Sequence, residues 1–172
     1  EEKEAARILL NHFTADIENE LKHVDPNVQI TMASTDRPDK YISDYDAEKL
    51  ILALHACPHG VIGMSHDIEG LVETSTNLAS VKMGDDSTII VGTSQRSSIE
   101  SCKNMIANQV ASVFKLAGAQ VTHGDGYPGW APNPDSKILK VAQETYKRLF
   151  NKDAKIMAIH AGLECGLFLE KY

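Results

Sequence analysis

The residues that could do chemistry fall into a few short clusters. His55-Ala-Cys-Pro-His59 places two imidazoles and a thiol within five residues, side-chain types that zinc accepts. On a helix both histidines would share a face, but Pro58 normally ends a helix before His59, and the second ligand pair of a structural zinc site is missing. The plainer reading is a helix C-terminus whose histidines favour the negative end of the dipole. His66-Asp67 and His123-Gly-Asp125 each set an imidazole beside a carboxylate, a pair able to orient a base or bind a metal. Such dipeptides are common in loops, and neither carries a function unaided.

Arg96 is more suggestive. It stands at the end of a β-rich run and is followed by Ser97, Ser98 and the start of a long helix. A guanidinium near the exposed backbone N–H groups of a helix end makes a receptor for a carboxylate or phosphate. A surface salt bridge is the commoner use of such an arginine. His160-Ala-Gly-Leu-Glu-Cys-Gly166 follows an apolar stretch, and a strand end that opens into a glycine turn is where α/β proteins place ligand-contacting groups. Gly162 would let backbone amides approach a ligand closely. Cys165 could serve as a nucleophile with His160 as its base, but apolar flanks and the lack of a third orienting group favour a buried structural thiol. Tyr127-Pro-Gly-Trp-Ala-Pro132 has the look of an aromatic platform, although aromatics beside prolines more often pin a loop to the protein body. No phosphate-binding glycine motif, no H-E-x-x-H and no paired-cysteine zinc spacing is present, so an autonomous active site is not visible.

These residues must be positioned by a folded domain, and the composition supplies one. The 172 residues are 42% hydrophobic, enough for one ordinary domain or two small ones. With 17 Lys and Arg against 24 Asp and Glu, the net charge is −7, which argues against nucleic-acid and anionic-membrane partners, because both need a basic face. No apolar run approaches the roughly 18 residues of a membrane span, and the opening EEKEAARILL is acidic where a secretory leader would be basic. Cys57, Cys102 and Cys165 cannot all pair within the chain, so reduced thiols and a cytoplasmic setting are expected.

Ala6, Leu9, Leu10, Phe13, Ile17 and Leu21 predict an amphipathic helix that stops near residue 23. Val28, Ile30 and Met32 alternate as a strand, 34–44 reads as a loop, and Asp44 is expected to cap a helix running to Pro58. From Leu71 the period changes to two, and Leu71 to Met83 and Ser87 to Gly92 flank Gly84-Asp-Asp86 as a hairpin. A long helix should begin at Ser97 and Ser98 and end at Gly118. Ala119 to His123 reads as a short strand. Residues 124–135 then carry three glycines and three prolines and are the best boundary in the chain. An amphipathic helix from Ser136 to Phe150, an apolar strand from Ala154 to His160 and a last apolar element complete the pattern. The alternation predicts an α+β fold, a split β-α-β sandwich with helices on one sheet face. A chain that begins in mid-helix and ends on an apolar run is expected to be a piece of a longer polypeptide.

Five blocks carry a resemblance. Gly60-Val-Ile-Gly-Met-Ser65, Gly70-Leu-Val-Glu-Thr-Ser-Thr-Asn-Leu78, Arg96-Ser-Ser98, Tyr127-Pro-Gly-Trp-Ala-Pro-Asn-Pro-Asp-Ser136 and His160-Ala-Gly-Leu-Glu-Cys-Gly166 resemble, in order, blocks of the aminoacyl-histidine dipeptidase family. These are also called cytosol non-specific dipeptidases, di-zinc metallopeptidases related to carnosinase. Residues 1–50 resemble the family only loosely.

The resemblance implies a catalytic α/β domain with two zinc ions and an inserted ferredoxin-like lid that covers the substrate and often mediates homodimerisation. This chain would be a fragment, with 1–123 lid, 124–135 connecting loop and 136–172 partial catalytic segment. The family's metal ligands and Glu general base would lie outside it. Arg96 matches the lid arginine that binds the free carboxylate of a dipeptide, Gly162 a glycine whose backbone meets the same end, and Asn77 adds a polar contact from the neighbouring strand. The implied substrates are Xaa-His and other unblocked dipeptides, and the fragment alone should be inactive. The alternative is a non-catalytic ferredoxin-like module that dimerises or binds a small acidic ligand.

Overall fold

The computed structural model describes residues 2–126, 128–130 and 132–161. The chain divides into two compact units, Glu1–Ile42 and Ser43–Tyr172. In the first, α1 spans Glu2–Leu21, with Glu2 and Glu4 in the first turn, where the dipole favours acid, and an Arg7–Glu4 ion pair at 2.7 Å. The Val24 and Asp25 amides close on the Leu21 carbonyl and end it. The alternating Val28, Ile30 and Met32 form no strand, because no ladder partner is present among the described residues.

The second unit opens with α2, Asp44–Ala56. Its N-cap is Ser43 and not Asp44: the Ser43 hydroxyl accepts from the Asp46 amide and donates to the Asp46 carboxylate. Strands β1 (Gly60–Met64), β2 (Val72–Met83) and β3 (Ile89–Ser97) make an antiparallel sheet in the order β1-β2-β3. The β2–β3 hairpin falls where the period-two pattern puts it, although β3 runs five residues beyond Gly92 to Ser97. Its turn is closed by Asp86, whose carboxylate accepts from the Thr88 amide and hydroxyl and is thereby held below the usual carboxylate range. β2 carries a bulge between Leu78 and Ser80. β1 was not legible as a strand: it is five residues long, includes two glycines and pairs irregularly with β2.

Helix α3, Glu100–Leu116, packs on β2 and β3, and α2 packs on α3. The expected Ser97–Ser98 cap is not used as one. Ile99 is the N-cap without a side-chain bond, and the Ser97 hydroxyl accepts from the Ile99 amide instead. Gly118, at φ +85°, allows the Ala119 amide to reach back to the Phe114 carbonyl, and this closes the helix. Ile106 is wholly buried, and Ala53, Cys57, Val110 and Phe114 form a core cluster completed by Leu78 and Val91 of the sheet. The result is the α+β, ferredoxin-like layering expected, with an antiparallel sheet under helices on one face.

Ala119 to His123 and Ala154 to His160 were expected as strands, yet neither joins the sheet. Both carry the apolar pattern but have no ladder partner among the described residues. α4, Lys137–Phe150, ends in a left-handed Asn151 whose amide caps the Lys147 carbonyl. Among the described residues no helix is long and apolar enough to cross a membrane. The last expected element lies outside the described residues.

Candidate functional site

Strand alternation decides which side chains meet here. The pairs Thr74↔Ser97 and Thr76↔Gln95 share one face with Leu78 and Val91, the face α3 covers. Ser75↔Arg96 and Asn77↔Ser94 therefore share the other. Arg96 leaves the sheet on the face opposite α3.

Beside Arg96 lies a cleft of about 390 Å³ lined by Val72, Ser94, Arg96, Lys103, Trp130 and His160 among others. It wraps the end of β3, the outer strand of the sheet, and so reaches groups from both faces. Residues 128–130 wall one side. Gly129 lies so close to the end of β3 that a Cβ there would sit 2.6 Å from the Ser97 carbonyl oxygen and 3.0 Å from that of Ser98. The Gly/Pro-rich loop is thus pinned to the body of the protein, as its composition predicts, and Trp130 faces the cleft from it.

His160 reaches the site from a segment 85 residues away in sequence: its Nε2 lies 2.7 Å from the Ser75 hydroxyl. Burial lowers its pKa first, and the positive charge of Arg96 lowers it further, while a hydrogen bond with the Val72 backbone acts in the opposite direction. The ring is therefore neutral at neutral pH. Arg96 is always charged, and among the described residues it makes no ion pair. The commoner surface-bridge use of arginine is not the one seen. A permanent cation beside a neutral imidazole and hydroxyl groups can accept a carboxylate.

Asn77 is on the same sheet face but exposed and outside the lining of the cleft. Gly162 and Cys165 lie outside the described residues, and Nε2 of His160 is engaged by Ser75. The other clusters are dispersed. His59 accepts from the Leu78 amide through Nδ1, His55 is exposed, and the Cys57 thiol is buried with its pKa pushed up. His66, Asp67, His123 and Asp125 are exposed. Among the described residues no three His, Cys, Asp or Glu side chains converge. The described residues do not assemble a two-zinc centre. Sequence reasoning missed Ser75 and its bond to His160. Only the three-dimensional register could reveal it, since no spacing rule links positions 85 apart.

The chain is similar to dipeptidases of known sequence and structure. Over 164 residues, 95% of its length, the chain is 37% identical to the cytosol non-specific dipeptidase of Escherichia coli (strain K12). It also superposes, with a TM-score of 0.86 and 34% identity over 97% of its length, on the crystal structure of aminoacylhistidine dipeptidase from Vibrio alginolyticus. No family model matches. The chain spans 34%, about a third, of the length of each of these relatives. The similarity carried by the five blocks thus extends along nearly the whole chain, although residues 1–50 resembled the family only loosely.

Proposed function

We propose that this chain is part of a dipeptidase and that its contribution is to hold the free carboxylate of the substrate through Arg96. The observation that carries this is the place of Arg96, unpaired among the described residues, in a cleft beside a neutral His160 on the open sheet face. A dipeptidase must measure substrate length, and a fixed cation for the C-terminal carboxylate does so by bidentate hydrogen bonding. In this reading Gly162 offers backbone contacts to the same carboxylate, and Asn77 an outer polar contact. Residues 1–123 act as the lid, 124–135 as the connecting loop and 136–172 as the re-entry into the catalytic domain. Substrates are Xaa-His and other unblocked dipeptides, the enzyme is cytoplasmic, and the lid forms a homodimer. Zinc, held by residues outside this chain, would supply the activated water.

The test is release of histidine from a Xaa-His dipeptide by the full-length protein with zinc supplied, beside Arg96→Ala. Loss of one charged hydrogen-bond pair should raise KM on the order of 10- to 100-fold with a smaller change in kcat. A parent protein without dipeptidase activity would sink the proposal.

A further inference from the structure

The proposed carboxylate grip leaves one close contact unexplained. Ser75 does not line the cleft, yet its hydroxyl stands 2.7 Å from Nε2 of His160, which does. The two residues come from segments of different character: Ser75 from the interior of β2, paired across to Arg96, and His160 from a stretch outside the sheet among the described residues. Without a ladder, backbone pairing does not fix where residues 154–161 lie. The His160 side chain ties the stretch to β2 through the Ser75 hydroxyl and the Val72 backbone. Because Ser75 is the register partner of Arg96, the same bond that anchors His160 also sets it beside the guanidinium.

We propose that Ser75 is a positioning residue that acts through His160: its hydroxyl holds the imidazole at the wall of the Arg96 cleft, so that an uncharged ring bounds the place where Arg96 takes the substrate carboxylate. This rests on the reading of Arg96 as the carboxylate clamp. The division of labour follows from the electrostatics. Arg96 supplies the permanent charge, and burial together with that charge keeps the imidazole beside it neutral, so the ring shapes the cleft without adding charge. The charged group that acts on the ring is Arg96; Lys103 shares the cleft lining, and Glu73 lies two positions from Ser75 along β2.

The experiment uses the full-length protein with a dipeptide and the C-terminal amide of the same dipeptide, which lacks the carboxylate. Ser75→Ala should raise KM for the dipeptide roughly 3- to 10-fold, the worth of one hydrogen bond, with kcat and the amide's KM little changed. Ser75→Thr, which keeps the hydroxyl, should restore the parent KM. His160→Gln should match Ser75→Ala, and the double variant should be no worse than either, because the two act as one unit. In the NMR titration of His160, Arg96→Gln should move the imidazole pKa up toward its ordinary value near 6.5. A parent-like KM in Ser75→Ala overturns the inference, and so does equal damage in the Ala and Thr variants, which would mark a merely structural serine. If Arg96→Ala leaves the preference for dipeptide over amide intact, the clamp reading itself falls, and that failure is distinct from the other two.

Discussion

The two faces of the β1–β3 sheet carry similar residues and use them differently. On the side under α3, Thr74 and Ser97 bond to each other at 2.8 Å, and Gln95 donates to Thr76 at 3.1 Å, so buried polar groups satisfy one another. On the open side Ser75, Asn77, Ser94 and Arg96 are not consumed in this way, and one of them reaches out to His160. Hydroxyls on the covered face are structural because desolvation obliges them to pair within the fold. On the open face the Ser75 hydroxyl is turned to His160, and Ser94 lines the cleft. The alternation of β2 and β3 thus sorts stability from recognition residue by residue.

Substitutions can break or sharpen this contrast. The largest effect belongs to the covered side: Ile106, wholly buried, should cost about 2–5 kcal/mol when cut to Ala, seen in urea unfolding, with no selective change in substrate capture. Next is Gly129→Ala at the rim. The added Cβ meets backbone carbonyls that cannot swing aside, and a cost of about 1–3 kcal/mol is expected together with a raised KM as the loop lifts from β3. Thr74→Val strands the Ser97 hydroxyl from one partner and should cost about 1 kcal/mol by the same unfolding assay, while Ser94→Ala on the open face should stay within about 0.5 kcal/mol. A melting study that found the two equal would erase the distinction.

The smallest effect is a dependence on pH. His160 has a folded-state pKa below its unfolded value near 6.5, so the unfolded chain binds its proton first as pH falls. The stability contributed by the neutral ring is fully present above about 6.5 and is lost as pH falls from there through the lowered folded value. His160→Gln should flatten the slope of stability against pH in that window. An unchanged slope would show that the ring is not held neutral by its surroundings.

Much of this was legible before the fold. The α1 to α4 helices follow from apolar spacing, and the hairpin from a turn-rich Gly84-Asp-Asp86 between period-two runs. The failures share a cause. Val28 to Met32, Ala119 to His123 and Ala154 to His160 have a strand's pattern, but a strand exists only with a partner, which a local pattern cannot specify. The converse holds for β1, whose glycines and irregular register hide a strand that β2 makes real. Within the site, Arg96 could be singled out by type and by its place before a helix. Its facing could not, since that depends on a register counted from the hairpin turn. His160 drew attention beside Cys165, but its described partner is Ser75, and chain distance concealed that pairing.

The bulge in β2 has a consequence akin to a reading-frame shift. Up to Leu78 the even-numbered residues of β2 face the helices. The register skips Ala79, and beyond it the odd-numbered Val81 stands opposite Val91, so the apolar phase is restored by one inserted residue. Gly92 is the complement of that insertion, since a side chain there would run into the Ser80 hydroxyl. Deleting Ala79 would remove the bulge and leave a regular ladder, with Ser75 still opposite Arg96 and Val81 still opposite Val91. The strand is in effect two independently phased segments, and the tip can drift in sequence without disturbing the end that meets the cleft.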